Sequence, residues 1–172
     1  MITYKSTFIL TLSLAIVFFV TGYFLPLDLE SAKDGSNLSS VKLGLGQILY
    51  NNLKASIFVI FFGGITLGFY YLFYLLQNFL SMAMIISQLN HDIGLFNTLS
   101  TFMIHGIFEV PAMLMSAALG IYIPLTIIYS FIKKTPMLSE LKKVFSLVGI
   151  VFLLTVIAAL LEAFVSPNLI QT

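Results

Sequence analysis

The chain has 172 residues, of which 59% are hydrophobic and 9% are charged, and its formal net charge is +1. A soluble domain is about one quarter charged, and a soluble fold of this length still exposes about 30% of its unfolded surface, so this composition excludes a water-soluble globular protein as well as a disordered one. The absence of arginine argues against nucleic-acid binding, and the absence of cysteine excludes disulfides and thiol chemistry. The class that remains is all-α, an integral membrane helical bundle that forms one domain, 1–172.

Apolar runs long enough to cross a bilayer occur along the whole chain. A crossing helix needs about 20 mostly apolar residues. The predicted elements, in chain order, are helices at 7–25 and 55–76, a crossing at 78–89 with a half-helix at 98–108, and helices at 112–132 and 144–165. The first run is predicted to be a retained helix, because it is long for a signal peptide and no small-residue cleavage site follows it. The total is about five crossings.

The central segment is the least regular of these elements. As a helix, 78–89 would be about 18 Å long, whereas the hydrocarbon core is about 30 Å thick. The next apolar run, 98–108, is also too short to span. We therefore predict a discontinuous segment whose backbone is satisfied by neighbouring helices or by a water-filled cavity. The alternative is a single tilted helix that runs to about Asn97.

The distribution of lysine predicts the orientation of the bundle. Lysines concentrate in cytoplasmic loops. The loop 133–143 has four lysines and one acid, Glu140, so we place it in the cytoplasm. The loop 27–54 has a balanced charge and is placed outside. The N-terminus is then cytoplasmic and the C-terminus is outside, in what we expect to be a bacterial cytoplasmic membrane.

Three ionisable residues lie within apolar sequence. His105 and Glu109 are four residues apart and share one face of a helix, and the predicted topology brings Glu162 to a similar depth. Such groups are costly in a membrane and are normally paired. We favour a structural cluster, and the alternatives are a ligand or proton site and a catalytic metal site. No His-Glu-x-x-His motif is present, so no catalytic residue, cofactor or resident metal is predicted.

Small residues at helical spacing indicate close helix packing. Gly64 and Gly68 form one such pair, and Ser116 and Gly120 form another. We expect both pairs to pack helices within the chain. The alternative is that they contact a partner protein.

Several of these motifs resemble, in order and spacing, the stage II sporulation protein M family, from about Gly46 to Pro167. The motifs that carry the resemblance are Asn51-Asn52-Leu53, Gly63-Gly64, His105-Gly106-Ile107-Phe108-Glu109-Val110-Pro111 and Glu162-Ala163-Phe164.

The resemblance implies a polytopic membrane protein without a known catalytic activity of its own. The sporulation member of the family works during engulfment in a complex with two other proteins, one of which degrades peptidoglycan. Other members occur in gene clusters for circular bacteriocins, where they are linked to maturation, secretion or immunity. The sporulation member has a longer cytoplasmic N-terminal arm, whereas six residues precede the first apolar run here. This difference argues against the engulfment role.

The leading hypothesis is a non-catalytic membrane component of a multi-protein assembly that acts on a hydrophobic peptide. Its expected partners are the lipid bilayer and other membrane proteins, including an ATPase-containing transporter or peptidoglycan-remodelling proteins. Three alternatives stay open. The first is a scaffold for engulfment, and the second is an intramembrane metal-dependent peptidase or peptide ligase that uses His105, Glu109 and Glu162. The third is a permease-like subunit with a separate ATPase, because the chain has no Gly-x-x-x-x-Gly-Lys loop.

Overall fold

The computed structural model describes residues 3–25, 44–133 and 137–164. Within these ranges all regular structure is helical, and five helices are long and apolar enough to span a membrane: α1 (Tyr4–Phe24), α2 (Leu45–Ile65), α3 (Phe69–Ile93), α4 (Leu95–Lys133) and α5 (Met137–Phe164). The predicted all-α class and the count of five are confirmed. The orientation of the termini stays a prediction. Most of the predicted loop 27–54, part of the loop 133–143 and the tail 165–172 lie outside the described residues.

The first helix has clear start and stop signals. The side-chain oxygen of Thr3 accepts a hydrogen bond from the Ser6 N–H at 3.2 Å, and the Ser6 hydroxyl oxygen accepts one from the Thr3 N–H at 3.2 Å. This reciprocal pair is a capping box, which satisfies N–H groups that the first helical turn leaves without partners. The helix ends at Phe24, shortly before a proline, which disfavours helical backbone in the residue ahead of it.

The predicted bounds of the second helix, 55–76, are wrong. The helix begins ten residues earlier and ends at Ile65, where the backbone enters the left-handed region at Leu67 (φ +50°) and Gly68 (φ +98°). The Gly68 N–H donates to the Gly63 carbonyl at 3.0 Å, which is the long hydrogen bond of a Schellman helix end. Glycine has no Cβ to clash in this conformation, so the chain can turn inside an apolar run.

Because the turn comes early, the third crossing is not short. It runs through Phe69–Ile93, 25 residues, or about 37 Å as a helix. The alternative of a single long helix is therefore closer to the structure than the predicted short crossing at 78–89. A discontinuity does exist inside α3, but it is one π-helical turn at Leu76–Leu80. A π turn inserts one extra residue into a helix and is frequent at functional sites.

The predicted half-helix at 98–108 is also wrong, because this segment is the first part of α4. The helix is continuous for 39 residues, with Pro111 and Pro124 inside it. A helix of that length is about 58 Å long, which exceeds a hydrocarbon core of about 30 Å. Its apolar stretch is Gly106–Lys133, so the end that carries Leu95 extends beyond the stretch that can span.

The central helix of the bundle is α4, which packs against each of the other four helices. In the most apolar 18 residues of α4 half of the residues are buried, against 22–28% in the equivalent parts of the other helices. Many of its fully buried residues are small, including Ser116, Ala117, Ala118 and Gly120. Without bulky side chains at these positions, neighbouring backbones can approach closely.

The backbones of α2 and α4 approach each other very closely. A Cβ atom at Gly63 would lie 2.8 Å from the Gly120 carbonyl oxygen, and one at Gly120 would lie 2.5 Å from the Val59 carbonyl oxygen. Pro124 has no N–H to donate to the Gly120 carbonyl, as a helical residue four positions later would. That carbonyl is therefore available for a Cα–H···O contact with Gly63 across the interface.

The other small residues singled out in the sequence have different surroundings. A Cβ at Gly64 would meet nothing within 4 Å, and one at Gly68 would lie 3.6 Å from the Ile121 side chain. Ser116 is fully buried, and its hydroxyl donates to the Ala112 carbonyl at 2.7 Å. On the α2 side, the glycine in contact with α4 is Gly63.

Candidate functional site

The most polar part of the bundle interior surrounds a cavity of about 40 Å³ enclosed by α2, α3, α4 and α5. Its polar lining consists of six side chains, Asn52, Ser56, Tyr74, Asn78, Glu109 and Thr155. The remaining lining residues are Ala55, Ala112, Met113 and Ala158. A space of this size exceeds the roughly 10–15 Å³ that one water molecule needs. The cavity can therefore hold a water molecule or a small ion.

Local backbone features position two of these side chains. Asn78 lies in the π turn of α3, and its side-chain N–H donates to the Tyr74 carbonyl at 2.7 Å. This bond leaves the amide oxygen of Asn78 as an acceptor. On α5, the Thr155 hydroxyl donates to the Val151 carbonyl at 2.8 Å, which leaves its oxygen lone pairs available. Both residues therefore offer oxygen atoms to the cavity.

Glu109 is the acidic residue of this site. It lies on α4 and is partly buried, and its carboxyl group is close enough to Tyr74 to interact with it electrostatically. Within the described residues that line the cavity, no second acid and no lysine is present. A charge at this depth is stabilised only by polar neighbours or by an ion of opposite sign.

A second and much larger space lies on the other side of Glu109. This groove has a volume of about 890 Å³ and is formed by α1, α3 and α4. Its polar lining residues are Gln77, Asn78, Ser81 and Glu109. The rest are apolar, among them Leu12, Ile16, Met82, Ile85, Met103, Ile107 and Leu114. Several of these apolar side chains are half exposed, so the groove is open at the side of the bundle.

Comparison with known families identifies the chain. Its sequence matches the family described as stage II sporulation protein M over residues 7–167. The chain belongs to the stage II sporulation protein M family. The resemblance found in the motifs is thus confirmed, and the match also covers α1.

A relative of this protein occurs in Methanocaldococcus jannaschii. That protein carries the description "uncharacterized", and it is 34% identical over 174 residues, which cover 96% of each chain. The two proteins therefore correspond over nearly their whole lengths. No solved structure matches the chain.

Of the three residues predicted to form one ionisable cluster, Glu109 lines both the cavity and the groove, and the cluster itself stays a prediction. His105 lies on α4, one helical turn before Glu109, and its side chain is outside the described part of the structure. Glu162 lines neither cavity and is seven residues beyond Thr155 on α5, about 10 Å along the helix. Within the described residues, no three His, Asp or Glu side chains are grouped so that they could hold a metal ion.

A second polar contact joins α4 and α5 far from this site. The buried Tyr122 hydroxyl donates to a Glu140 carboxylate oxygen at 2.6 Å, and Lys143 lies 2.8 Å from the other oxygen. The Tyr4 ring packs edge-to-face on Tyr122, with 5.7 Å between the ring centroids. This group connects the first turns of α1 and α5 to α4 at Tyr122.

Sequence reasoning found Glu109 but missed the residues around it. Asn52 was placed in an external loop, whereas it lies on α2. Tyr74, Asn78 and Thr155 are single polar residues in apolar helices, and nothing in their spacing shows that they meet. A usable signal is the family motif Asn51-Asn52-Leu53, which contains Asn52.

Proposed function

We propose that this multi-pass membrane protein is a non-catalytic component of an assembly in the cell membrane that matures, exports or confers immunity to a hydrophobic peptide. The groove of about 890 Å³ between α1, α3 and α4 carries this proposal. Binding sites for small ligands usually have volumes of about 300–1,000 Å³ and are mostly apolar with a few polar groups. The groove has these properties, and on α4 it extends from the spanning stretch to Phe102 and Met103, just before that stretch begins at Gly106.

The chemistry of the groove favours an apolar peptide segment as its occupant. Its described lining residues include one carboxyl group and no lysine, so no cationic side chain in that lining attracts the phosphate of a phospholipid headgroup. The accessible polar side chains, Gln77, Asn78 and Ser81 among them, can pair with peptide N–H and carbonyl groups. Apolar side chains of the peptide would contact the aliphatic walls.

The assembly would supply what the chain does not contain. The sequence has no phosphate-binding loop, so we propose that energy for export comes from an ATPase-containing transporter encoded separately. The alternative partners are peptidoglycan-remodelling proteins, and this alternative is supported only by family membership.

Site-specific photo-crosslinking in the native host tests this proposal. A photoreactive phenylalanine analogue replaces Ile107 or Ile85, which line the groove, or Ile57 on α2, which is outside it. Ile107 and Ile57 are matched controls because both are isoleucines with similar exposed fractions, 56% and 59%. Mass spectrometry then identifies each adduct. We expect an apolar segment of an exported peptide at both groove positions and none at Ile57.

Two outcomes would contradict the proposal. If Ile107 and Ile85 form adducts with phospholipid alone, the groove is a lipid site. If the same peptide is crosslinked equally at all three positions, the contact is unspecific and the groove does not select it.

A further inference from the structure

We propose that the cavity of about 40 Å³ is a binding site for one small monovalent cation, with sodium as the ion to be tested and Glu109 as its counter-charge. This inference is independent of what occupies the large groove. It rests on the oxygen atoms around the cavity, on its charge and on its size.

The donors around the cavity suit a hard cation. Carboxylate, amide carbonyl and hydroxyl oxygens are the ligands that such cations select, whereas transition metals favour imidazole and thiolate. All of these oxygen types are present, in side chains from four different helices. A cation bound between them would join α2, α3, α4 and α5 at one point.

The number of acids in the lining favours a monovalent ion. Glu109 is the one acid among the described lining residues, so the lining offers a single carboxyl group to a cation. A divalent ion would leave an uncompensated charge inside the bundle, where burial of net charge is strongly unfavourable. Protein sites for calcium accordingly combine several carboxylates.

The volume is consistent with this assignment. It admits an ion together with a water molecule, since one water needs roughly 10–15 Å³. Tyr74 is 5%, Ser56 is 5% and Thr155 is 3% exposed, so these ligands are already fixed by packing. A preorganised site of this kind loses little side-chain entropy when the ion binds.

The test is the thermal unfolding of the purified full-length protein in detergent, in sodium chloride or in N-methylglucamine chloride of the same concentration and pH. An ion that binds only the folded protein raises the unfolding temperature, by about 3–6 °C at ten times its dissociation constant for a chain of this size. We expect this sodium-dependent shift in the unmodified protein. We expect it to be lost in Thr155→Val, which keeps the shape of the side chain, and in Glu109→Gln.

Thr11→Val is the matched control. Thr11 is fully buried on α1, and its hydroxyl lies 3.0 Å from that of Tyr71, away from the cavity. This variant is expected to unfold at a lower temperature but to keep the full sodium shift. If Glu109→Gln fails to fold, the sodium-dependent shift in unfolding temperature is measured in Thr155→Val and Ser56→Ala.

Three results would overturn the assignment. The first is an equal unfolding temperature in the two salts. The second is a sodium shift that persists in both Thr155→Val and Ser56→Ala, which places the ion elsewhere. The third is a stability that depends on pH but not on sodium, which makes Glu109 the site of a proton.

Discussion

Two parts of α4, before Glu109 and after it, differ in packing. From Ala112 to Pro124 the helix is mostly buried, with Ala117 and Leu119 at 0% exposure. Before Glu109 it is largely exposed, with Phe96 at 85% and Ile107 at 56%. The two parts differ in residue size, because small residues allow α2 and α5 to approach and larger ones leave the side of the helix open as a groove.

The largest effect is expected from a substitution that disrupts the packed part of α4. In Gly120→Val, the new side chain would overlap the Val59 carbonyl, because even a Cβ would lie 2.5 Å from that oxygen. We expect a loss of about 3 kcal/mol or more of unfolding free energy, at the upper end of overpacking effects. Thermal or denaturant unfolding in detergent measures it.

Gly64→Val is the control for this prediction, since a Cβ at Gly64 would meet nothing within 4 Å. Its effect on unfolding free energy should stay within about 0.5 kcal/mol, as for other substitutions at open positions. Equal destabilisation by the two variants would show that helix propensity, and not the α2–α4 contact, determines the result.

A smaller effect is expected at the end of the packed part of α4. Tyr122→Phe removes the hydroxyl that donates to Glu140 and leaves the aromatic packing in place. We expect a loss of about 1 kcal/mol, typical of one hydrogen bond. Tyr50→Phe, at a tyrosine that is 63% exposed, should leave the unfolding free energy unchanged. No difference between the two variants would mean that the Tyr122–Glu140 bond adds nothing to stability.

The smallest effect on stability is expected in the open part of α4, together with a large effect on binding. Gly106→Phe places a ring in the groove, at a position where a Cβ meets nothing within 4 Å. Unfolding free energy should change by less than about 0.5 kcal/mol. Peptide adducts formed from position 85 should fall about tenfold. Gly149→Phe, an equally open position on α5, should leave the adducts unchanged. Full adduct yield in Gly106→Phe would exclude the groove as the peptide site.

Much of this fold follows from hydropathy alone. Apolar runs and breakers predict an all-α bundle, the count of five and the approximate places of α1 and α5. The bounds of α2 and α3 could not be predicted, because the turn at 66–68 is apolar and depends on the left-handed backbone of Leu67 and Gly68. Hydropathy is continuous across such a turn.

Only part of the site could be predicted from the sequence. Glu109 is conspicuous because an acid is costly in an apolar run. Its neighbours, such as Asn52 and Thr155, come from distant parts of the chain and meet only when the helices pack. Likewise, spacing indicates that glycines of α2 contact α4, but the rotation of the helix decides between Gly63 and Gly64.

Because the groove opens at the side of the bundle, the concentration of its ligand must be expressed relative to the lipid. The peptide that we propose as its occupant would enter between α1, α3 and α4 from the acyl-chain phase and not from water. Its effective concentration is then the number of its molecules per lipid, not per litre. Diluting a vesicle suspension with buffer would leave the occupied fraction constant, whereas adding empty vesicles that exchange the peptide would lower it.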